Sequence, residues 1–201
     1  MIQGVLFDFD GTLTRPGALD FPAIKRELGC PVETPILEYL DTLPSARRAK
    51  LMKILEEKED DAAEFSQPNN GVEKCLSFLR NRHILFGILT RNSLRSVKKA
   101  LLRFNATSIE DFAAIITRDV SLPKPNPDGV IEAARRMGIH PSRLLVVGDF
   151  RFDVMAGKAA GACTVLLTNG GKSSMAHGDP EPDYTSTNFE ELIDIISGIL
   201  G

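Results

Sequence analysis

The sequence predicts an α/β protein: a parallel β-sheet covered by helices on both faces, with a helical insert after the first strand. Three observations carry this expectation. Short apolar runs alternate with amphipathic segments along most of the 201 residues, a pattern in which crossover helices cover both faces of a parallel sheet. Between Leu19 and Phe65 the alternation stops, and helical patterns follow one another without a strand. The apolar runs also end in acids or hydroxyls, where sheets of this kind hold their ligands.

The first run is Val5, Leu6 and Phe7 within GVLFDFDGTLT (Gly4 to Thr14), closed by Asp8, Phe9, Asp10 and Gly11. It reads as a buried strand ending in acid at a turn. Asp8 and Asp10 can serve the turn itself. They can also form a site, because charge withdrawn from water must be paired or bind a metal. Asp20 then caps a short helix through Leu28 with Gly29 as its stop, and Thr34 with Pro35 opens another through Leu40. Ser45 starts a long helix toward Phe65. Its charged residues, Arg47, Arg48, Lys50 and Lys53 followed by Glu56, Glu57, Glu59, Asp60 and Asp61, read as a solvated face with i,i+4 pairs such as Lys53 with Glu57. The insert leaves through Gln67 to Gly71, so residues 15–70 form a helical domain and residues 1–14 with 71–201 an α/β domain.

Beyond Gly71, Val72, Cys75, Leu76 and Leu79 mark a helix, and Ile84 to Leu89 is a strand ending in Thr90, Arg91 and Asn92. A helix with Val97 and Leu101 follows, then a strand over Ala113 to Thr117 and a loop in which Pro123, Pro125 and Pro127 surround Lys124. A helix from Asp128 to Met137 stops at Gly138. Leu144 to Val147 is a fourth strand ending in Gly148 and Asp149; a helix runs to Ala160, Thr164 to Leu167 is a fifth strand, and Phe189, Leu192, Ile193 and Ile196 mark a last helix. The loop from Asn169 to Pro182 carries no readable pattern.

Composition narrows the function. With 43% hydrophobic and 25% charged residues and a formal net charge of -3, the chain has the balance of an ordinary globular protein and no basic stripe for nucleic acid. No apolar run approaches the roughly 20 residues that span a bilayer. The three cysteines, Cys30, Cys75 and Cys163, are odd in number and far apart, which gives neither a disulfide framework nor a zinc site and points to a reducing, cytoplasmic setting. The strand begins almost at Met1, leaving no room for a signal peptide.

Asp8, Asp10 and Asp149 offer hard oxygen ligands with no Cys or His nearby in sequence, a set that suits Mg²⁺. Asp153 either orients that group or caps the helix that follows. Thr90 brings a hydroxyl to a strand end beside backbone N–H groups that can hold an anion. Lys124 is either a solvated lysine or a point charge for a phosphate and the acids; Arg91 either touches substrate or sits at the rim. Together these groups supply an in-line nucleophile and charge neutralisation, the needs of phosphoryl transfer.

Four motifs in order, DFDGT from Asp8, ILTRN with Thr90, PKPNP with Lys124, and GDFRFD with Asp149 and Asp153, resemble those of the haloacid dehalogenase (HAD) superfamily, and the phosphoglycolate phosphatase-like group most of all. The resemblance implies a Rossmann-like core with a small helical cap. It implies that Asp8 is the nucleophile, that Asp10 is the acid/base, and that Thr90, Arg91 and Lys124 bind the phosphoryl group. It further implies that Mg²⁺ is held by Asp8, Asp149 and the main-chain carbonyl of Asp10, with Asp153 in support. A second acid at Asp10 argues against dehalogenase and phosphonate-cleaving chemistry. The expected function is a phosphatase for a small phosphorylated metabolite, working as a monomer or homodimer. The alternatives are a sugar phosphomutase or a non-catalytic binding protein on the same fold.

Overall fold

The computed structural model describes residues 1–201. Six parallel strands form one sheet: β1 (Gly4–Phe7), β2 (Leu85–Leu89), β3 (Ala114–Ile116), β4 (Leu144–Gly148), β5 (Cys163–Leu167) and β6 (Tyr184–Ser186), in the spatial order β3-β2-β1-β4-β5-β6. The order reverses between β1 and β4, where Phe7 faces Val147 in register. A crevice must open beyond the carboxyl ends of these two strands, because the crossovers leave them in opposite directions.

The alternation along each strand divides the core in two. Val5, Phe7, Phe86, Ile88, Leu145 and Val147 point to one face, where they meet α4 (Val72–Asn81), α5 (Leu94–Leu101) and α8 (Phe189–Leu200). Leu6, Leu144 and Val146 point to the other, against α6 (Asp128–Met137) and α7 (Arg151–Ala159). Burial of each large apolar side chain here stabilises the fold by about 1.5–3 kcal/mol before entropy is subtracted.

Between β1 and β2 lie α1 (Phe21–Leu28), α2 (Ile36–Asp41) and α3 (Ser45–Phe65). Asp20 caps α1 by accepting the N–H of Ala23 at 2.9 Å, and Gly29 ends it in the left-handed conformation. These helices have their own small core of Ile24, Leu28, Cys30, Ile36, Leu37, Leu40 and Leu55. The chain enters and leaves them side by side: Thr14 and Pro68 form an antiparallel bridge, the Arg15 N–H donates to the Gln67 carbonyl and the Asn69 N–H to that of Leu13, each at 2.9 Å.

Two expectations are corrected. The acidic stretch of α3 is solvated only in part: Glu56, Glu57 and Asp61 are exposed as expected, but Glu59 is 4% and Asp60 8% exposed, because α3 packs along α5 and turns these two inward. Glu59 takes the Arg118 guanidinium at 2.5 Å and the Ser93 N–H at 3.4 Å, while Arg95 reaches Asp60 at 2.7 Å. The sheet also has a sixth strand, β6, which three residues form at the edge with only Ser186 buried.

The loop that leads to β6 is clipped by Asp183, which accepts the Thr164 N–H at 2.8 Å, the Thr164 hydroxyl at 3.0 Å and the Lys158 ammonium at 2.6 Å. Burial works to raise the Asp183 pKa, but Lys158 and Thr164 prevail and hold it below the ordinary carboxylate value. Its stabilisation is therefore present above the unfolded-state pKa and lost as pH falls through the lower folded value. Asp183→Ala is expected to cost about 1–2 kcal/mol at pH 7 in urea unfolding, since the two Thr164 donors lose a charged acceptor, with the deficit shrinking below about pH 4.

Candidate active site

The sequence-derived site residues converge on the carboxyl edge of β1, β2 and β4. Asp8 follows β1 directly, and its N–H donates to the Val147 carbonyl at 2.8 Å. The next residues, Phe9–Leu13, form a tight loop in which Asp10 is extended and Gly11 takes φ +77°, closed by the Thr14 N–H donating to the Phe9 carbonyl at 2.9 Å. A Cβ on Gly11 would stand 2.2 Å from Oδ2 of Asp149. Only glycine lets the loops after β1 and β4 touch, and this brings their acids together. A Cβ on Gly148 would likewise overlap Asp153, whose carboxylate folds back to accept the Phe150 N–H at 3.1 Å.

Carboxylate oxygens of Asp8, Asp149 and Asp153 lie within 4.8 Å of one another. Lys124, 4% exposed, enters from the proline-rich loop and donates its ammonium to both Asp8 and Asp153. It is thus a buried ion-pair partner and not a solvated lysine. Burial alone would lower its pKa; Asp153 and Asp8 outweigh that and raise it.

The acids exceed the cation, and their pKa values respond. Burial, then Asp8 and Asp153, push Asp149 up to about 8. Burial raises Asp153 to about 6 although Lys124 opposes it. Asp10 stands apart from the trio: its carboxylate accepts from Nδ2 of Asn92 at 2.6 Å, and burial, Asp8 and Glu59 raise it to about 7. Three carboxylates against one ammonium leave an excess of negative charge that a divalent cation would neutralise, and an all-oxygen donor set fits Mg²⁺ chemistry.

Thr90, 3% exposed, ends β2 and accepts the Asn92 N–H through its hydroxyl at 3.1 Å. Arg91 follows Thr90 with its side chain 21% exposed. Its guanidinium is held by both oxygens of Glu38 on α2, at 2.9 and 2.5 Å, and also donates to the Lys124 carbonyl. The sequence patterns give no site role to Glu38, Glu59 or Asn169, whose side-chain amide donates to the Gly11 carbonyl at 2.7 Å. No local signal marks the first two, since each meets its partner across more than 50 residues of chain. Asn169 has a local signature, φ +52°, in a dipeptide with Gly170 that marks a turn.

Residues 2–161 match the family model for haloacid dehalogenase-like hydrolases. The chain is a haloacid dehalogenase-like hydrolase. It is 32% identical over 202 residues to an uncharacterized hydrolase of Saccharomyces cerevisiae, covering 98% of this chain and 92% of the other. It is 27% identical over 235 residues to the phosphoglycolate phosphatase of Escherichia coli, covering 96% and 91%. Among solved structures, a hydrolase from Pseudomonas syringae shares the fold with a TM-score of 0.81 at 20% identity, covering 99% of each chain. As a member of this HAD family the chain is an enzyme with phosphatases among its relatives, and no helix in it is long and apolar enough to cross a membrane.

Proposed function

We propose that this HAD hydrolase is a Mg²⁺-dependent phosphomonoesterase for a small phosphorylated metabolite, acting in the cytoplasm through an aspartyl-phosphate on Asp8. The observation that carries the reading is the buried Lys124 bridging Asp8 and Asp153 beside Asp149. This arrangement fixes one carboxylate at a strand end and surrounds it with groups that stabilise transferred charge. The side chains of Asp8 and Asp149 and the main-chain carbonyl of Asp10 would hold the metal, with Asp153 in support. Bound there, Mg²⁺ supplies charge neutralisation for the phosphoryl oxygens.

In the first step the Asp8 carboxylate attacks phosphorus and the ester P–O bond breaks, while Asp10 gives its proton to the leaving oxygen. In the second, Asp10 takes a proton from water as that water attacks the aspartyl-phosphate, releasing inorganic phosphate and restoring Asp8. The Thr90 hydroxyl and the Lys124 ammonium hold the phosphoryl oxygens throughout. Asn92 keeps the Asp10 carboxyl aimed at the leaving group. Arg91, occupied by Glu38, acts at the mouth and not on the phosphoryl group itself. Residues 15–70 serve as a cap that excludes water from the transfer step.

Inorganic phosphate release from p-nitrophenyl phosphate and a panel of small phosphate esters tests the reading. Turnover is expected with Mg²⁺ and should fall at least about 100-fold after chelation, given the charge that the metal neutralises. No release from any ester with Mg²⁺ would overturn it, and an isomeric phosphate as product would make the enzyme a mutase.

A further inference from the structure

Arg91 and Glu38 join the two parts of the molecule beside the candidate active site. Arg91 follows Thr90 directly, and Glu38 sits on α2 in the insert. The contact is a fork of two N–H···O bonds at 2.9 and 2.5 Å. The same guanidinium donates to the carbonyl of Lys124, whose ammonium reaches Asp8. Its central carbon, Cζ, lies over the Phe152 ring, 5.2 Å from the ring centre. A guanidinium held on three sides is not a loose surface pair: the side chains are 21% and 39% exposed, and the fork geometry adds direction to the attraction.

An ester with its phosphoryl group on Asp8, Thr90 and Lys124 would have Arg91, Glu38 and Phe152 among its neighbours, because Arg91 follows Thr90, donates to the Lys124 carbonyl and holds the other two. Phe150, 46% exposed, stands edge-on to Phe152 at 5.0 Å and extends this wall. The guanidinium that could receive a second anionic group is already neutralised by Glu38. Arg118, which donates to the Arg91 carbonyl, is paired with Glu59, and Arg151, beside Phe150 and Phe152 in sequence, is paired with Asp179, each at 2.5 Å. A carboxylate or second phosphate on the leaving group must then stand unpaired beside Glu38, or displace it and leave the Glu38 carboxylate unpaired. A hydroxyl group incurs neither cost.

We infer that Glu38 is a specificity-determining residue that closes the site to phosphomonoesters bearing a second negative charge next to the ester and admits those with neutral, hydroxylated leaving groups. The inference rests on the phosphatase reading above and narrows its substrate class.

The test uses 2-phosphoglycolate and 2-hydroxyethyl phosphate, which differ only in a carboxylate against a hydroxymethyl group, as competitors of p-nitrophenyl phosphate turnover with Mg²⁺. The inhibition constants of the wild-type enzyme should favour the hydroxyethyl ester by at least about tenfold. Glu38→Gln, which keeps the size but removes the charge, should shift that ratio toward phosphoglycolate by about tenfold or more, and Glu38→Asp should retain the wild-type preference. A purely structural loss of the clasp would weaken both competitors equally and leave the ratio in place. Wild-type constants within about threefold of each other, or a ratio unmoved in Glu38→Gln, would overturn the inference and place second-charge binding elsewhere, as on the exposed Lys172. Failure of the wild-type enzyme to hydrolyse the aryl ester would instead overturn the phosphatase reading itself.

Discussion

Asp8→Asn is expected to reduce phosphate release by at least about 10⁴-fold, because in the mechanism proposed above an amide cannot form the acyl phosphate and the remaining groups act through that nucleophile as a unit. The same variant should fold normally. Asp8 raises the pKa of both Asp10 and Asp149, so removing its charge relieves repulsion among the acids, and the amide oxygen still accepts from Lys124. The thermal midpoint in metal-free buffer should therefore equal or exceed that of the wild-type enzyme. A variant that keeps its turnover would remove Asp8 from the chemistry; one that is inactive but unfolded would say nothing about it, which is why the two readings belong together.

Lys124→Met should fail differently. Methionine fills the space of the lysine stem but leaves Asp8 and Asp153 without their shared cation in a buried setting. Breaking a buried ion network in this way costs about 3–5 kcal/mol, less whatever proton uptake by the acids recovers. Turnover should fall by about 10²- to 10³-fold, the scale of losing one preorganised charge at a developing oxyanion. Added Mg²⁺ should restore part of the thermal stability while restoring little activity, because a metal can neutralise the acids but cannot take the place of the ammonium on the phosphoryl group. Calorimetry with and without Mg²⁺, alongside phosphate release, separates the two effects.

Much of this architecture could be read from local pattern, and the exceptions have a common cause. Val5 to Phe7 and Leu144 to Val147 are apolar on both sides because both faces of their strands are covered, and the acids that follow them, Asp8 and Asp149, break that pattern within two residues. The cluster was therefore visible as strand ends. β6 was not, because Tyr184, Thr185 and Ser186 pair along one edge only and need no apolar run. Glu59 and Asp60 were misread because α3 is polar on most of its circumference, and nothing near them in the chain foretells Arg118 or Arg95. Arg91 stayed ambiguous for the same reason, since Glu38 precedes it by 53 residues. Charge pairs across distant segments are the part of a fold that hydrophobic periodicity does not encode.

The antiparallel bridge between Thr14 and Pro68 has an evolutionary consequence. Because departure and return share one gate, the sheet registers the three intervening helices as a closed bulge of nearly zero span. Lengthening that bulge, or exchanging it for an unrelated module, adds only a slowly growing closure entropy and leaves every strand pairing untouched. Such a graft point lets the helical module change while the strand ends that gather Asp8, Asp149 and Asp153 stay where they are.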